Sequence, residues 1–321
     1  MRQGSRRSKL QNSRHLTSRG ADLISKSSVS RSSGWHVLGS RPRPSRASGF
    51  TALALLLWIT TVSGTYAWGP AAHRLVNGSA IGCLPAEIRG FFEANRQFLL
   101  DHANDPEEWT KKDRYERMRH YIYLDKYGYF PYLNLPHGYK AAVTRYGSGR
   151  IGRDGNLPWQ IGEYSLKLTE ALKSQNWDEV KENAAALGFY VADAHDPLHT
   201  TQNRDGQLTR QTGLAERFGI RLIDRYSSFF MLHPSEAAKI DDQTEYAFSI
   251  VLEASTWVDR VLLADLRARE ELPDYSEDYL NRFYNQIGPT AMQEINAAAH
   301  DAGSYWYTAW LNAERPALPP K

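Results

Sequence analysis

Apolar residues recur at helical spacing along most of the chain after residue 85, and the two-residue alternation typical of strands is absent. The stretch at 178–196 shows the pattern well, because Asp178 can cap it and Pro197 would stop it. Residues 127–160, rich in Gly, Pro, Asn and Tyr, are predicted to form a long ordered loop. The pattern predicts an all-α fold with helices over residues 85–100, 161–173, 178–196, 245–266 and 279–299, and a short one over 304–311.

The first 67 residues follow a different pattern. Residues 1–49 are rich in Ser and Arg without periodicity, and an uncharged apolar run follows at 50–62. That run is too short to span a bilayer, and small residues lead from it to Ala67, so the three parts predict a secretory signal peptide. An uncleaved membrane anchor and an organellar transit peptide are the alternatives. Cleavage before Trp68 would remove residues 1–67 and make the mature protein secreted or periplasmic.

Removal of this leader reverses the charge of the chain. The sequence has 39 Lys and Arg against 36 Asp and Glu, and 11 of the basic residues but one acid lie in residues 1–49. Residues 68–321 keep 28 basic and 35 acidic residues, a net charge near −7, which gives no support for non-specific nucleic-acid binding. We expect one domain over 68–315, a loose tail over 316–321 and a monomer. The single cysteine, Cys83, excludes an internal disulfide, so packing or a bound metal must supply the stability.

Two pairs of residues early in the mature chain are candidates for metal ligands. Cleavage before Trp68 would free an α-amine five residues from His73, and an α-amine has a pKa low enough to ligate a metal. The second pair is Asp105 and His120, and an aromatic and aliphatic run follows the histidine. Each pair also fits a plainer interpretation: an ordinary histidine near the N-terminus, and a buried histidine with a structural hydrogen bond.

The densest polar group lies at the end of the predicted helix 178–196. Seven residues after its apolar run contain four candidate ligands: Asp193, His195, Asp196 and His199. An unpaired carboxylate at such a helix end would be costly to desolvate. A metal bound by carboxylate and imidazole, the usual ligands of zinc, would remove that cost. The alternative is a helix end at which histidines interact with the helix dipole, but the density of the group favours a metal site.

Together these residues resemble the secreted zinc-dependent phospholipase C and S-one/P-one nuclease superfamily, from Trp68 to about Tyr226. The resemblance implies an all-α domain that binds three zinc ions in a cleft. In the family, an Asp at the position of Asp193 bridges two of the ions, and the amine and carbonyl of an N-terminal Trp bind one of them. Six residues match the family's metal ligands in type and setting: Trp68, His73, Asp105, His120, Asp193 and His199.

Three ligand positions of the family hold other residues in this chain. Phe189 stands where the family has a His one helical turn before the bridging Asp, and Ala215 and Gly219 stand where it has a His and an acid. The resemblance then implies one or two zinc ions, because the ion at the mature N-terminus keeps its matched ligands, its neighbour loses one and the third loses most. Three nearby side chains are candidates to replace the lost ligands: His195, Asp205 and Glu216.

The resemblance implies hydrolysis of phosphodiesters by a metal-activated water, with Asp105 and Asp193 as catalytic residues. The substrate would be a phospholipid headgroup or single-stranded nucleic acid, with transient contact to a membrane surface and no stable nucleic-acid complex. The alternative is a catalytically inactive member, secreted as a metal-binding or interaction protein. Substitution of three ligands favours this alternative, and retention of the other ligand-type residues favours the hydrolase.

Overall fold

The computed structural model describes residues 68–319 apart from residues 271 and 273. The predicted leader, its cleavage site and the last two residues of the predicted tail lie outside the described residues. All described residues belong to one unit of the chain, 61–321. Within the described ranges the regular structure is entirely helical, without a strand. The predicted all-α class is therefore confirmed.

This part of the chain contains helices of very different length. The first three α-helices lie close together, and a short fourth follows them in the sequence. The α-helices are α1 (Pro70–Cys83), α2 (Ala86–Ala94), α3 (Arg96–Asp101), α4 (Asp105–Trp109), α5 (Tyr139–Tyr146), α6 (Ser148–Asp154), α7 (Leu157–Lys173), α8 (Trp177–Ala194), α9 (Ile223–Tyr226), α10 (Gln243–Ser255), α11 (Val258–Arg269) and α12 (Glu277–Asn312). Single turns of 3-10 helix lie at Glu116–Arg119, Leu124–Tyr127, Pro197–Thr200 and Ser227–Phe229, and a π-helix covers Glu216–Leu222. None of the described helices is both long and apolar enough to cross a membrane.

The centre of the fold is the packing of α8 and α12 against each other and against α1 and α7. Trp306 of α12 is fully buried, stacks on Phe92 with ring centroids 5.0 Å apart and donates its indole N–H to Ala184 O at 3.0 Å. Helix α1 approaches α12 so closely that a Cβ on Gly303 would lie 2.4 Å from Cys83 Sγ. Because α8 is surrounded by packed helices, the polar residues at its C-terminal end are held inside the core rather than at the surface.

Two helices predicted as continuous are interrupted. The stretch 85–100 breaks at Asn95, whose side-chain amide donates to Phe91 O at 2.8 Å. The stretch 245–266 breaks between α10 and α11, where the Ser255 and Thr256 hydroxyls donate to the carbonyl oxygens three residues earlier at 2.7 Å. Side chains that bond to nearby backbone groups offer an alternative to the helical ladder. Apolar periodicity continues across such breaks, so it does not reveal them.

Two other predictions placed too little helix. Two helices predicted as separate are continuous, and a segment predicted as a loop contains helices. The predicted helices 279–299 and 304–311 are one helix, α12, and Gly303 between them allows close packing on α1. The predicted loop 127–160 contains α5, α6 and the start of α7. Its glycines mark helix ends: Gly147 and Gly155 have φ of 82° and 93°, a conformation that glycine adopts at little cost. Helix α1 was not predicted, and the cap of α8 is Asn176.

Candidate metal centre

The carboxylate of Asp193, in the last turn of α8, is the centre of the candidate site. It is 1% exposed, and three imidazoles surround it. His73 Nε2 and His199 Nδ1 lie 3.2 and 3.3 Å from Oδ1, and His120 Nδ1 lies 3.7 Å from Oδ2. The structure thus brings together four of the six predicted metal ligands, from segments up to 126 positions apart in the sequence.

Backbone contacts place each imidazole. His73 lies in the first turns of α1, whose entry is fixed by the hydrogen bond from Gly69 N to Gly219 O at 3.0 Å. His199 lies in a 3-10 turn that Asp196 caps by accepting from Leu198 N at 2.8 Å. The same turn receives the hydrogen bond from Ile122 N to His199 O at 2.9 Å. That bond ties the segment after His120 to the turn that carries His199, so the two imidazoles approach Asp193 together.

Two glutamates that the sequence analysis did not single out complete the surroundings of His120. Its Nδ1 lies 3.4 Å from Glu107 Oε2, and its Nε2 lies 3.4 Å from Glu116 Oε1. Glu116 is buried and also accepts from the Tyr190 hydroxyl and from Arg119. Burial by itself would lower the pKa of His120, but the two glutamates raise it to about 9. In this arrangement His120 is an imidazolium at neutral pH, so binding a metal ion would require the loss of its proton.

The other two predicted ligands have different side-chain contacts. The carboxylate of Asp105 turns to His102, with 2.7 Å between Oδ2 and Nδ1, and both side chains are half-buried. Glu107, two residues further in α4, takes the position beside His120. The Trp68 indole is buried against Phe218, with centroids 5.1 Å apart. The ligand predicted for Trp68 is its backbone, one residue before the Gly69 hydrogen bond to the π-helix.

Phe189 occupies the place where the resemblance puts an additional His. Its ring stacks on His73 with centroids 4.1 Å apart and an interplanar angle of 15°. It also meets the His120 ring edge-on at 4.9 Å. Residues four apart share one face of a helix, and Phe189 accordingly faces the same imidazoles as Asp193. A phenyl ring has no donor atom, so it fills the space beside both histidines without contributing a ligand.

The candidate replacements for lost ligands contact other groups. Asp205 accepts backbone N–H groups of Gly213 and Ala215 at 3.0 and 3.1 Å and so closes its own loop. Glu216 is exposed at the start of the π-helix. His195 points away from Asp193, toward α12, as expected from their separation by two positions.

His195 belongs to a second buried polar cluster, which the sequence analysis did not find. Its Nε2 lies 2.9 Å from Asp301 Oδ2 and its Nδ1 lies 3.4 Å from Glu294 Oε2. The Tyr246 hydroxyl donates to the other oxygen of Asp301 at 2.8 Å. Burial would lower the pKa of His195, but the two carboxylates raise it to about 9. An imidazolium between two carboxylates joins the end of α8 to α12.

The electrostatics around Asp193 favour a charged carboxylate. Burial raises the pKa of Asp193, but His199 and His73 outweigh burial and hold that pKa well below its usual range. Asp196, also fully buried, shows the reverse balance: burial raises the pKa of its carboxyl to about 7. Two acids three residues apart therefore differ in charge at mildly acidic pH, and Asp193 is the one equipped to act as a ligand.

Several observations test whether these residues fit a zinc ion. Two buried polar atoms at the Asp193 carboxylate have no hydrogen-bond partner among the described residues: Asp193 Oδ2 and His199 Nδ1. The distances of 3.2 and 3.3 Å from Asp193 Oδ1 to two imidazole nitrogens match a tetrahedral zinc shell, in which ligands bonded at about 2.0–2.1 Å are about 3.3 Å apart. Imidazole and carboxylate are also the donors that zinc takes most often besides thiolate.

Distances between pairs of these side chains suit zinc, but the side chains do not form a complete coordination shell. Within the described part of the chain, no three His, Cys, Asp or Glu side chains are spaced to hold one metal ion together. His120 is paired with its glutamates instead. A zinc ion at Asp193 would therefore require a shift of side chains or an additional donor, for which the backbone of Trp68 is the candidate that the resemblance supplies.

Comparison with known proteins adds no family to these observations: no protein-family model matches the chain, and no curated protein matches it.

Proposed function

We propose that this chain is a secreted zinc-dependent phosphodiesterase of the phospholipase C and S-one/P-one nuclease type, with a reduced metal site centred on Asp193. The observation that supports it most is the buried, ionised carboxylate of Asp193 beneath three imidazoles whose ring nitrogens are incompletely hydrogen-bonded. A buried charge of this kind is costly unless it is paired or coordinates a metal. One or two ions are expected, and the substrate class is a phospholipid headgroup or single-stranded nucleic acid.

The residues that would hold zinc are Asp193, His73 and His199, with His120 and the backbone of Trp68 as further donors. When bound, zinc lowers the pKa of a coordinated water and offsets the charge of a phosphate. Glu107 marks the side from which solvent and substrate would enter, because its side chain is 20% exposed where that of Glu116 is 2%. On that side it is placed to accept a proton.

A second candidate function is a metal-binding protein without hydrolytic activity. Two observations favour it. The Phe189 ring stacks on His73 where the resemblance places a ligand. The central side chains of His73, His120, Asp193 and His199 are all buried, so a diester has little access to them in this arrangement. Metal binding is common to both candidates, and hydrolysis separates them.

Zinc content and turnover, measured on the same purified protein, distinguish the candidates. Elemental analysis would give zinc per chain, and release of nitrophenol from bis(4-nitrophenyl) phosphate, with and without a chelator, would give turnover. We expect one or two ions and chelator-sensitive turnover, and Asp193→Asn should lose both. Asp101→Asn is the matched control, because Asp101 forms an exposed ion pair with Arg74. Zinc without turnover would support the second candidate, and a chain without zinc would contradict both.

Two of the three acids of α4, Asp105 and Glu107, lead to different predictions for zinc affinity. The structure places Glu107 beside His120 and pairs Asp105 with His102, whereas the resemblance assigns the ligand to Asp105. Glu107 faces the same His120 nitrogen that faces Asp193, so its carboxylate is placed to be a ligand itself. We expect Glu107→Gln to weaken zinc binding by at least about tenfold, the lower end of what even outer-shell partners of a ligand contribute. Asp105→Asn should change it less. Competition with a fluorescent zinc chelator would measure both, and the reverse order would restore Asp105 as the ligand.

A further inference from the structure

The segment between residues 128 and 135 exposes an unusual amount of apolar surface. The side chains of Tyr129, Phe130 and Leu133 are 96%, 60% and 86% exposed. Single exposed apolar residues are common on proteins, but a group of three in one short turn marks an interaction surface more often. Residues 129–133 are called the tip below.

The tip is held in a fixed shape by its own backbone and by buried anchors. Tyr132 N donates to Tyr129 O at 2.7 Å, and Leu135 N donates to Tyr132 O at 2.9 Å. Leu135 is buried, and the Tyr146 hydroxyl donates to Asn134 O at 2.7 Å. The projecting side chains are therefore presented by a preorganised turn, which reduces the entropy lost on binding.

Basic residues lie near the tip, although residues 68–321 as a whole carry a net charge near −7. Residues 126–153 contain five Lys and Arg and no acid, and Asp125 and Asp154 bound this stretch. Asp154 pairs with Arg150, and Asp125 accepts from the Thr201 hydroxyl at 2.8 Å.

Arg145 donates to Asn134 Oδ1 at 3.2 Å and Arg150 donates to Lys126 O at 2.7 Å, so both guanidiniums lie beside the segments that flank the tip. Lys126 itself is three positions before Tyr129. Within the described ranges only Arg150 of the three pairs with a carboxylate. These three residues are called the basic collar below.

We propose that the tip and the basic collar form a membrane-contact surface for anionic lipid. Tyr, Phe and Leu side chains settle at the boundary between lipid headgroups and acyl chains, and nearby cations are attracted by anionic headgroups. A second copy of the chain fits the surface less well, because a symmetric tip-to-tip contact would bring two basic collars together. The inference does not depend on the metal site at Asp193.

A fluorophore at the tip tests the contact directly. Cys83 is the only cysteine, it is buried, and burial raises the pKa of its thiol to about 11, so it will not compete for the label. Leu133→Cys would carry an environment-sensitive NBD label in the full chain. Met231→Cys, at a side chain 75% exposed on another loop, is the control. The label at 133 should shift to the blue with vesicles of phosphatidylcholine and phosphatidylglycerol, and less with phosphatidylcholine alone or with added salt.

Substitutions then separate the apolar and charged parts of the surface. In the labelled chain, Lys126→Gln should weaken binding to the anionic vesicles about fivefold. Lys173→Gln, at an exposed ion pair in α7, should not. Tyr129→Ser with Phe130→Ser should abolish the blue shift at 133.

Three results would overturn the proposal. One is a label at 133 that does not respond to anionic vesicles, and another is an equal response at 231, which would report insertion of the apolar run 50–62 instead. The third is a blue shift that grows with protein concentration without vesicles, which would identify a second copy as the occupant.

Discussion

At the scale of single residues, Phe189 limits what the Asp193 site can bind. Its ring lies flat on His73 and edge-on to His120, so it occupies the space between two candidate ligands. The ring adds packing to the metal-free protein, and it withholds a donor from a metal ion. Stability without zinc and affinity for zinc therefore oppose each other at this position.

Phe189→His should raise the affinity for zinc and lower the stability of the zinc-free protein. An imidazole at this position would supply a nitrogen on the helix face of Asp193, and zinc affinity should rise by at least about tenfold, the lower end of what even outer-shell partners of a ligand contribute. The unfolding free energy without zinc should fall by about 1–3 kcal/mol, because a polar ring enters a buried site. Competitive chelator titration and urea unfolding would measure the two effects.

Phe189→Leu is the matched control, since it removes the ring without adding a donor. It should lower stability and leave zinc affinity unchanged. An equal gain of affinity in both variants would mean that the space left by the ring, and not a new ligand, controls binding.

At the scale of residues, the sequence predicted the candidate ligands that lie close together along the chain or close to its predicted N-terminus. Asp193 and His199 lie in one short segment, and His73 lies five positions from the predicted N-terminus. Glu107 and Glu116 were not predicted, because their role depends on the His120 side chain turning toward them, and isolated acids in a charged segment carry no such signal. The carboxylates that hold His195 lie about a hundred positions away, at 294 and 301.

At the scale of secondary-structure elements, the contact of His195 with α12 fixes the end of α8. The imidazolium is enclosed between Glu294 and Asp301, and its neighbours in sequence carry the candidate metal centre. Removing one partner of a buried ionic cluster leaves the others uncompensated. The cluster therefore positions the last turn of α8 against the longest helix of the fold.

His195→Gln should lower the unfolding free energy by about 3 kcal/mol, because two buried carboxylates would lose their counter-charge. His102→Gln is the comparison, since His102 forms a half-exposed pair with Asp105 and pairs of that kind contribute at most about 1 kcal/mol. Urea unfolding followed by tryptophan fluorescence would measure both. Equal losses would show that the α8–α12 contact is no stronger than a surface pair.

Element boundaries were the part of the fold that periodicity could not supply. The breaks at Asn95 and at Ser255–Thr256 come from side chains that bond to the backbone. The continuity of α12 accompanies its close packing on α1, which Gly303 permits. Both causes are tertiary or stereochemical and leave the spacing of apolar residues unchanged, so the helical class was predictable and the number of helices was not.

At the scale of the whole molecule, the buried titratable groups should make stability depend strongly on pH. The pKa values of His120 and His195 rise from 6.5 to about 9, so the stability these groups contribute is complete below pH 6.5 and lost as the pH rises through 9. The pKa of Asp196 rises from 3.8 to about 7, so its contribution is lost between those values. Asp193, with a lowered pKa, acts in the opposite direction: its contribution is lost as the pH falls below the ordinary range.

The metal-free protein should therefore be most stable in mildly acidic solution, and its unfolding free energy should decrease as the pH rises from 6.5 to 9. Urea unfolding in the presence of a chelator would measure this dependence. In His195→Gln the decrease should be smaller, since one of the two imidazoles is gone. A profile that is flat over this interval would show that these histidines are not protonated in the folded chain.

The N-terminus predicted at Trp68 would connect cleavage of the leader to the candidate metal centre. Trp68 is buried against Phe218, and Gly69 is tied to the π-helix by its N–H, so the backbone at Trp68 has a fixed place in the fold. A free amine there has an available lone pair, whereas the nitrogen of a peptide bond does not, because its lone pair is delocalised into the carbonyl.

A chain that begins at Trp68 should then bind zinc at least about tenfold more tightly than one that begins at Ala67, an effect no smaller than that of an outer-shell partner. Competitive titration of both chains would measure the difference, and His73→Ala in each should reduce it. Equal affinities would exclude the amine of Trp68 as a ligand.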